Sequence, residues 1–320
     1  LRRLGAPVGA DYTAGDYSLL FDIQRGTADA ELCRAAGTDA VLPPAQTPAT
    51  DLCGEVSTEA SAVTGIPVGT PLVRGSSDGT AAMYGAGVLV PGAASLVSGT
   101  TDVLMVHTDS WPALAGGELS ANRSMAGYGY LIGGATGYSG GTVAYFAELF
   151  DTDAAELIAA AETVAPGSDG LLVAPGLTGE RAPWWNEAMR GKVYHLTAQH
   201  GRGHWVRAVM EGGAFRLRKL LEALSEAGVR VDVIRASGGG TGSATWNQIR
   251  ADVLETPVER LRASESTTIG TAMFCAAGVK QRSLADIGGS WIEVDRRFEP
   301  SPKSRQTYRE AYRRFRGMME

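Results

Sequence analysis

Three short segments hold the residue types that phosphoryl chemistry needs. In Gly75-Ser76-Ser77-Asp78-Gly79-Thr80 a carboxylate stands just past a short strand, with small residues on both sides that leave room for a ligand. Transfer of a phosphoryl group to an alcohol needs a group that accepts the hydroxyl proton and aligns the oxygen with phosphorus, and such a carboxylate does both. Asp78 also suits the cap of a helix running from Thr80 onward. In Ser98-Gly99-Thr100-Thr101 a glycine turn flanked by hydroxyls can hold phosphate oxygens on its backbone N–H groups, or simply close a hairpin. In Gly238-Gly239-Gly240-Thr241-Gly242-Ser243 the glycines let a ligand approach the backbone and aim a helix N-terminus at it, with a structural tight turn as the competing reading. This third run lacks the Gly-Lys-Ser/Thr of a Walker motif, and it matches Gly238, Gly240 and Ser243 to the dinucleotide fingerprint only in part, without its third glycine.

These segments need elements to position them. Pro71-Leu72-Val73-Arg74-Gly75 reads as a short strand ending in a glycine turn, and residues 95–106 as two β-rich pieces around Gly99-Thr100-Thr101. Residues 142–164 are expected to be mostly helix, 170–175 a buried strand, and 182–191 a loop marked by Trp184-Trp185. Across residues 205–224, Val206, Val209, Met210, Leu217, Leu220, Leu221 and Leu224 fall on one helical face, while Arg207 and Glu211 form an i,i+4 pair. Residues 231–236 predict a strand that feeds the third glycine run, and the helix after it, residues 243–254, starts at a Ser cap. A short strand at 258–261 and a small-residue helix at 268–277 follow, and 301–320 predicts a charged, exposed helix. Residues 1–70 are turn-rich, with loops such as Leu42-Pro43-Pro44-Ala45, and read as the end of a domain.

Composition excludes several classes of function. A net charge of −6 and a pI near 5.4 lack the basic excess of a nucleic-acid binder. Cys33, Cys53 and Cys275 stand far apart and odd in number, against a disulfide framework or zinc site and in favour of reduced thiols in the cytoplasm. No apolar run approaches the roughly 18 residues of a membrane span. The chain opens on Leu1-Arg2-Arg3-Leu4-Gly5 without an initiator methionine, from which we expect an upstream part to be absent.

Taken in order, the motifs resemble those of the FGGY family of carbohydrate kinases, which have the α/β actin/Hsp70/hexokinase-like ATPase (ribonuclease H-like) fold. The resemblance runs from about Asp11 to Gly278. Its best segment is Ala236-Ser237-Gly238-Gly239-Gly240 with Trp246, Gln248, Ala251-Asp252, Pro257-Val258, Glu265 and Gly270, similar to the family signature around the adenine site. Gly179-Glu180-Arg181-Ala182-Pro183 with Arg190-Gly191 resembles the family's Gly-Glu-Arg-x-Pro loop, and Arg207 with Glu211-Gly212 its Arg-Ala-x-x-Glu-Gly helix. Leu42-Pro43, Gly54, Thr64-Gly65 and Gly69-Thr70-Pro71-Leu72 look like the run into the second lobe.

The resemblance implies ATP and Mg2+ as cofactors and a small sugar or polyol as substrate, a xylulose-like ketopentose first and gluconate or another polyol next. It implies Asp78 as general base and metal-holding carboxylate, with Ser77, Asp78 and Gly79 at the substrate. Gly99, Thr100, Thr101, Gly239, Gly240, Thr241 and Ser243 would hold ATP. It also implies a cytoplasmic enzyme without nucleic-acid or membrane partners, and is compatible with a homodimer. Ser243 stands where many members place Asn, and Gly79 where pentulose kinases carry Asn and glycerol kinases Gln, a form closer to gluconate kinases. The family's first strand, Asp-x-Gly-Thr, is absent. Residues 1–70 are accordingly expected to end an incomplete N-terminal lobe, 71–278 to form the nucleotide-binding lobe and 279–320 a C-terminal extension, and the chain alone to be inactive or nearly so. The alternatives are a non-catalytic nucleotide-binding or regulatory protein, and an ATPase or phosphatase of the same fold.

Overall fold

Strand formers alternate along seven segments that pair into one sheet: Ala93–Ser98 (β1), Thr101–Thr108 (β2), Ser120–Arg123 (β3), Tyr130–Tyr138 (β4), Val233–Ser237 (β5), Val258–Leu261 (β6) and Val294–Phe298 (β7). The computed structural model describes residues 1–38, 46–114, 116–263 and 265–319; the Leu42-Pro43-Pro44-Ala45 loop lies outside these. The sheet order is β7-β6-β5-β1-β2-β4-β3. Strands β1, β5 and β6 are parallel, and the others run antiparallel to their neighbours. The expected turn between residues 95 and 106 is present, with the Gly99 N–H donating to the Thr101 carbonyl at 3.0 Å.

Period-two alternation divides the strands between two cores, because successive side chains leave opposite faces of a sheet. From β2, Leu104 and Val106 enter one core and Met105 the other. The first core is closed by the helix Arg202–Glu226, which buries Val206, Val209, Met210, Leu217, Leu220 and Leu224 as its periodicity predicts. Beside it pack the helices Gly140–Leu149, Ala154–Glu162 and Ala244–Leu254. The second core is closed by the helices Asp78–Gly85 and Ser266–Lys280, with Tyr84, Met273 and Phe274 against Met105 and Leu131.

Those last two helices cross on glycine. A Cβ added at Gly270 would lie 1.8 Å from the Ala81 carbonyl oxygen, and one at Gly85 1.9 Å from that of Ser266. A methyl group at Gly270 must therefore push the helices apart, and Gly270→Ala is expected to cost about 1–3 kcal/mol in urea unfolding. An unchanged midpoint would show that the crossing has slack.

The sequence expectation of an exposed helix over 301–320 is overturned. Helix Arg305–Met319 buries Tyr308, Ala311, Tyr312, Phe315 and Met319 in the first core. Phe215 meets Phe315 at 5.3 Å and Tyr312 at 5.9 Å between ring centroids. The arginines occupy only the outer face, whereas positions 308, 311, 312, 315 and 319 form an apolar stripe at helical spacing.

One histidine in this sheet is buried at the end of β2. The His107 Nε2–H donates to the Tyr128 carbonyl at 3.2 Å, Nδ1 has no hydrogen bond and lies 3.9 Å from Asp109 Oδ1, and burial, against the opposing Asp109 charge, holds the imidazole below its ordinary value of 6.5. The unfolded chain therefore takes up this proton first as pH falls. The stability tied to neutral His107 is present above pH 6.5 and is lost as pH falls from there through the lowered folded value. Urea unfolding of His107→Phe should show a flatter pH dependence on the acid side of 6.5 than the parent; an identical slope would assign that dependence elsewhere.

Candidate active site

Helix Asp78–Gly85 starts where Ser77 turns the chain, and the Ser77 hydroxyl accepts the Thr80 N–H at 3.3 Å. Ser77 is thus the cap, the role the local pattern offered to Asp78. Asp78 occupies the first helical position with an exposed carboxylate whose Oδ1 accepts the Gly79 N–H at 2.7 Å. From the chain's beginning, Thr13 and Thr80 share a hydroxyl hydrogen bond of 2.9 Å, and the Ser76 hydroxyl donates to Asp11 Oδ2 at 2.5 Å. The base of the helix is thereby held from both sides.

Asp78, Ser77 and Gly79 face a cleft of about 560 Å³ that also exposes Tyr17, Arg181 and Trp185. A second hollow of about 610 Å³, reaching Thr101 and Tyr138, shares Arg181 and Trp185 with the first. Arg181 makes no side-chain hydrogen bond or ion pair among the described residues. Behind it the loop is anchored by a buried ion pair. Glu180 is fully buried against Arg216, with Nη1 at 3.1 Å from Oε1, and Arg216 Nη2 donates to the Tyr138 carbonyl. Burial pushes the Glu180 carboxyl upward while Arg216 opposes the shift.

The two glycine turns of the sequence lie against each other at the carboxyl ends of parallel β1 and β5, the end of an α/β sheet where ligands are usually met. Gly238 has φ 89°, and a Cβ there would fall 2.5 Å from the Ser98 carbonyl oxygen, so only glycine permits this approach. The Gly239–Thr241 turn leads to Ser243, whose hydroxyl accepts the Trp246 N–H at 3.1 Å and caps the next helix. The Asn247 amide donates to the carbonyls of Thr241 and Ser243 at 2.7 and 3.0 Å and supports the turn from below.

Asp78 is tied to this end of the sheet by the start of helix Ser266–Lys280. The Ser266 hydroxyl donates to that of Ser237 at 3.1 Å, and the Thr267 hydroxyl to the Asp78 carbonyl at 3.5 Å. A third glycine turn escaped the sequence reading. At Ser139-Gly140-Gly141, the N–H groups of Ser139 and Gly141 donate to the Thr100 carbonyl at 2.8 and 3.1 Å. Its signal was present, since Tyr138-Ser139-Gly140-Gly141-Thr142 is another strand-glycine-helix junction. Arg181 and Trp185 were read only as parts of a loop, with no role. Among the described residues no group of three or more His, Cys, Asp or Glu is placed to hold a metal ion.

Residues 94–279 match the FGGY family of carbohydrate kinases, C-terminal domain. The chain belongs to this family. It is 27% identical over 310 residues to the xylulose kinase of Bacillus subtilis, covering 96% of this chain and 62% of that protein. It is 28% identical over 303 residues to the glycerol kinase of Solidesulfovibrio magneticus, covering 93% and 60%. The gluconate kinase structure from Lactobacillus acidophilus superposes with a TM-score of 0.90 at 25% identity, over 99% of this chain and 65% of that one. This FGGY chain therefore spans about three-fifths of the length of the curated relatives it matches, and its architecture is the actin- and hexokinase-like ATPase fold. No described helix of this FGGY chain is long and apolar enough to cross a membrane.

Proposed function

We propose that the protein transfers the γ-phosphoryl group of ATP to a hydroxyl of a small sugar or polyol, with Asp78 as general base. The observation that carries this reading is the exposed Asp78 carboxylate in a cleft, joined through Thr267 and Ser266 to the strand end that opens on Gly238. Asp78 accepts the hydroxyl proton, while Ser77 and Gly79 border the acceptor. The Gly99-Thr100-Thr101 turn, whose Gly99 N–H is taken by the Thr101 carbonyl, meets charge growing on the transferred group at Thr100 and Thr101, and Gly239, Gly240, Thr241 and Ser243 hold the nucleotide. Mg2+ is usually held by one or two carboxylates together with phosphate oxygens and water, a mode that one carboxylate, Asp78, can serve. When bound, it would neutralise phosphate charge.

We assign residues 1–70 to the end of the N-terminal lobe, 71–278 to the nucleotide-binding lobe and 279–320 to a C-terminal extension that completes its sheet and core. The cytoplasm, with ATP and a reducing potential, suits the three free cysteines. The acceptor assigned first is a ketopentose such as xylulose, in line with the name of the Bacillus subtilis relative. One observation favours an aldonate as second reading: the unpaired Arg181 faces the same cleft and could pair a carboxylate that Gly79 leaves room for.

The test is ADP release by the full-length protein across ketoses, polyols and aldonates with a no-sugar control. Turnover that requires one sugar supports the kinase and names its acceptor. Sugar-independent turnover would favour an ATPase, and nucleotide binding without turnover a regulatory protein.

A further inference from the structure

Arg250 is fully buried, yet its guanidinium reaches three chain segments. Nη1 donates to the Gly240 carbonyl at 3.2 Å, and Nη2 donates to the Ser98 hydroxyl and approaches Asp102 Oδ1 at 3.4 Å. The other oxygen of Asp102 accepts the Ser139 hydroxyl at 2.8 Å. The same guanidinium stands 4.8 Å from the Trp246 ring centre, on the helix that Ser243 caps. Each partner belongs to a glycine turn or its adjoining strand. Ser98 precedes Gly99, Gly240 lies in the Gly238–Gly242 run, and Ser139 opens the Gly140-Gly141 turn. Glycine turns have many accessible backbone states, so three of them on one surface stay in register only if something behind them fixes it.

We infer that Arg250, with Asp102, is a positioning residue that locks the three glycine turns into one rigid cradle. The inference rests on the reading of the Gly99 and Gly239 turns as the nucleotide site, and the lock itself can be measured without nucleotide. A planar fork with several donors suits this role, because it fixes direction as well as charge. Lysine offers a point charge that can meet Asp102 but cannot span all the acceptors.

The test is amide hydrogen exchange on the chain without nucleotide, comparing the parent with Arg250→Lys and Arg250→Met. The probes are the amides of Gly99, Thr241, Ser139 and Gly140, each hydrogen-bonded within or between these turns. If the cradle is locked by Arg250, exchange should rise about tenfold or more at all three turns together, while Leu104–Val106 and the centre of Arg202–Glu226 keep the parent's protection. Loosening of a single turn, or an equal rise throughout the sheet, would overturn the lock. Should Arg250→Met fail to fold, Arg250→Lys with Asp102→Asn tests the same coupling at nearly constant volume.

ATP titration into the same proteins separates the two readings. Weaker binding in Arg250→Lys supports positioning, and equal binding with loosened turns overturns it. A parent chain that takes up no ATP refutes the nucleotide reading of these turns, and the exchange result still decides the lock.

Discussion

In the full-length protein, replacing Asp78 with Asn is expected to cut phosphoryl transfer to the acceptor by about 10^2 to 10^4-fold, the usual range for loss of a general base, while ATP affinity changes little. Asn keeps the shape of Asp and can still accept the Gly79 N–H through its carbonyl oxygen. It cannot take up the acceptor proton. The helix start is capped by Ser77, so the substitution removes no cap, and the loss of a charge at an exposed first helical turn costs about 0.3–1 kcal/mol. The measurement is acceptor-dependent ADP release beside an ATP titration. A rate within about tenfold of the parent, at unchanged ATP affinity, would remove Asp78 from the role of base and leave it a surface residue of the helix.

The largest effect on stability is expected at Glu211. Its fully buried carboxylate accepts four hydrogen bonds: from Arg207 Nε, the Gly167 N–H, the Ser168 hydroxyl and the Tyr308 hydroxyl, the two side-chain hydroxyl contacts measuring 2.9 and 3.0 Å. Glu211→Ala leaves the Arg207 guanidinium buried without its partner, a loss of about 3–5 kcal/mol. Because Tyr308 lies on the terminal helix, that helix should detach first, so protease should cleave within Arg305–Met319 before the rest of the chain opens. Removing both charges as Arg207→Met with Glu211→Leu should cost far less than Glu211→Ala alone. Equal losses for the two variants would show that packing, and not the uncompensated charge, sets the effect.

Much of this was legible in the chain because its signals are local. The strands of the hairpin at Gly99, the apolar face of Arg202–Glu226 and the cap at Ser243 each depend on residues a few positions apart. The terminal helix was misread because its charge drew attention from its aromatic spacing. Two of the buried arginines, Arg216 and Arg250, were illegible for a different reason. Arg216 meets a carboxylate 36 positions away and Arg250 one 148 positions away, and no local pattern marks which arginine leaves the solvent. Arg181 was visible as a motif residue, but its place between two hollows depends on the tertiary path of its loop.

The sheet ends in two edges, and each is closed to a stranger's strand by a different device. At β3, the Arg123 N–H is taken by Asp16 Oδ2 at 2.7 Å and its guanidinium lies 3.8 Å over the Tyr12 ring, so the first residues of the chain occupy that border. At β7, Asp295, Arg296 and Arg297 stand exposed along the border, with Asp295 and Arg297 paired to Arg260 and Glu259. Backbone that another chain could extend is thus covered at one end and charged at the other. Cutting the chain after residue 38 would unmask only the first border, and fibrillar or strand-swapped association should then begin there and not at β7.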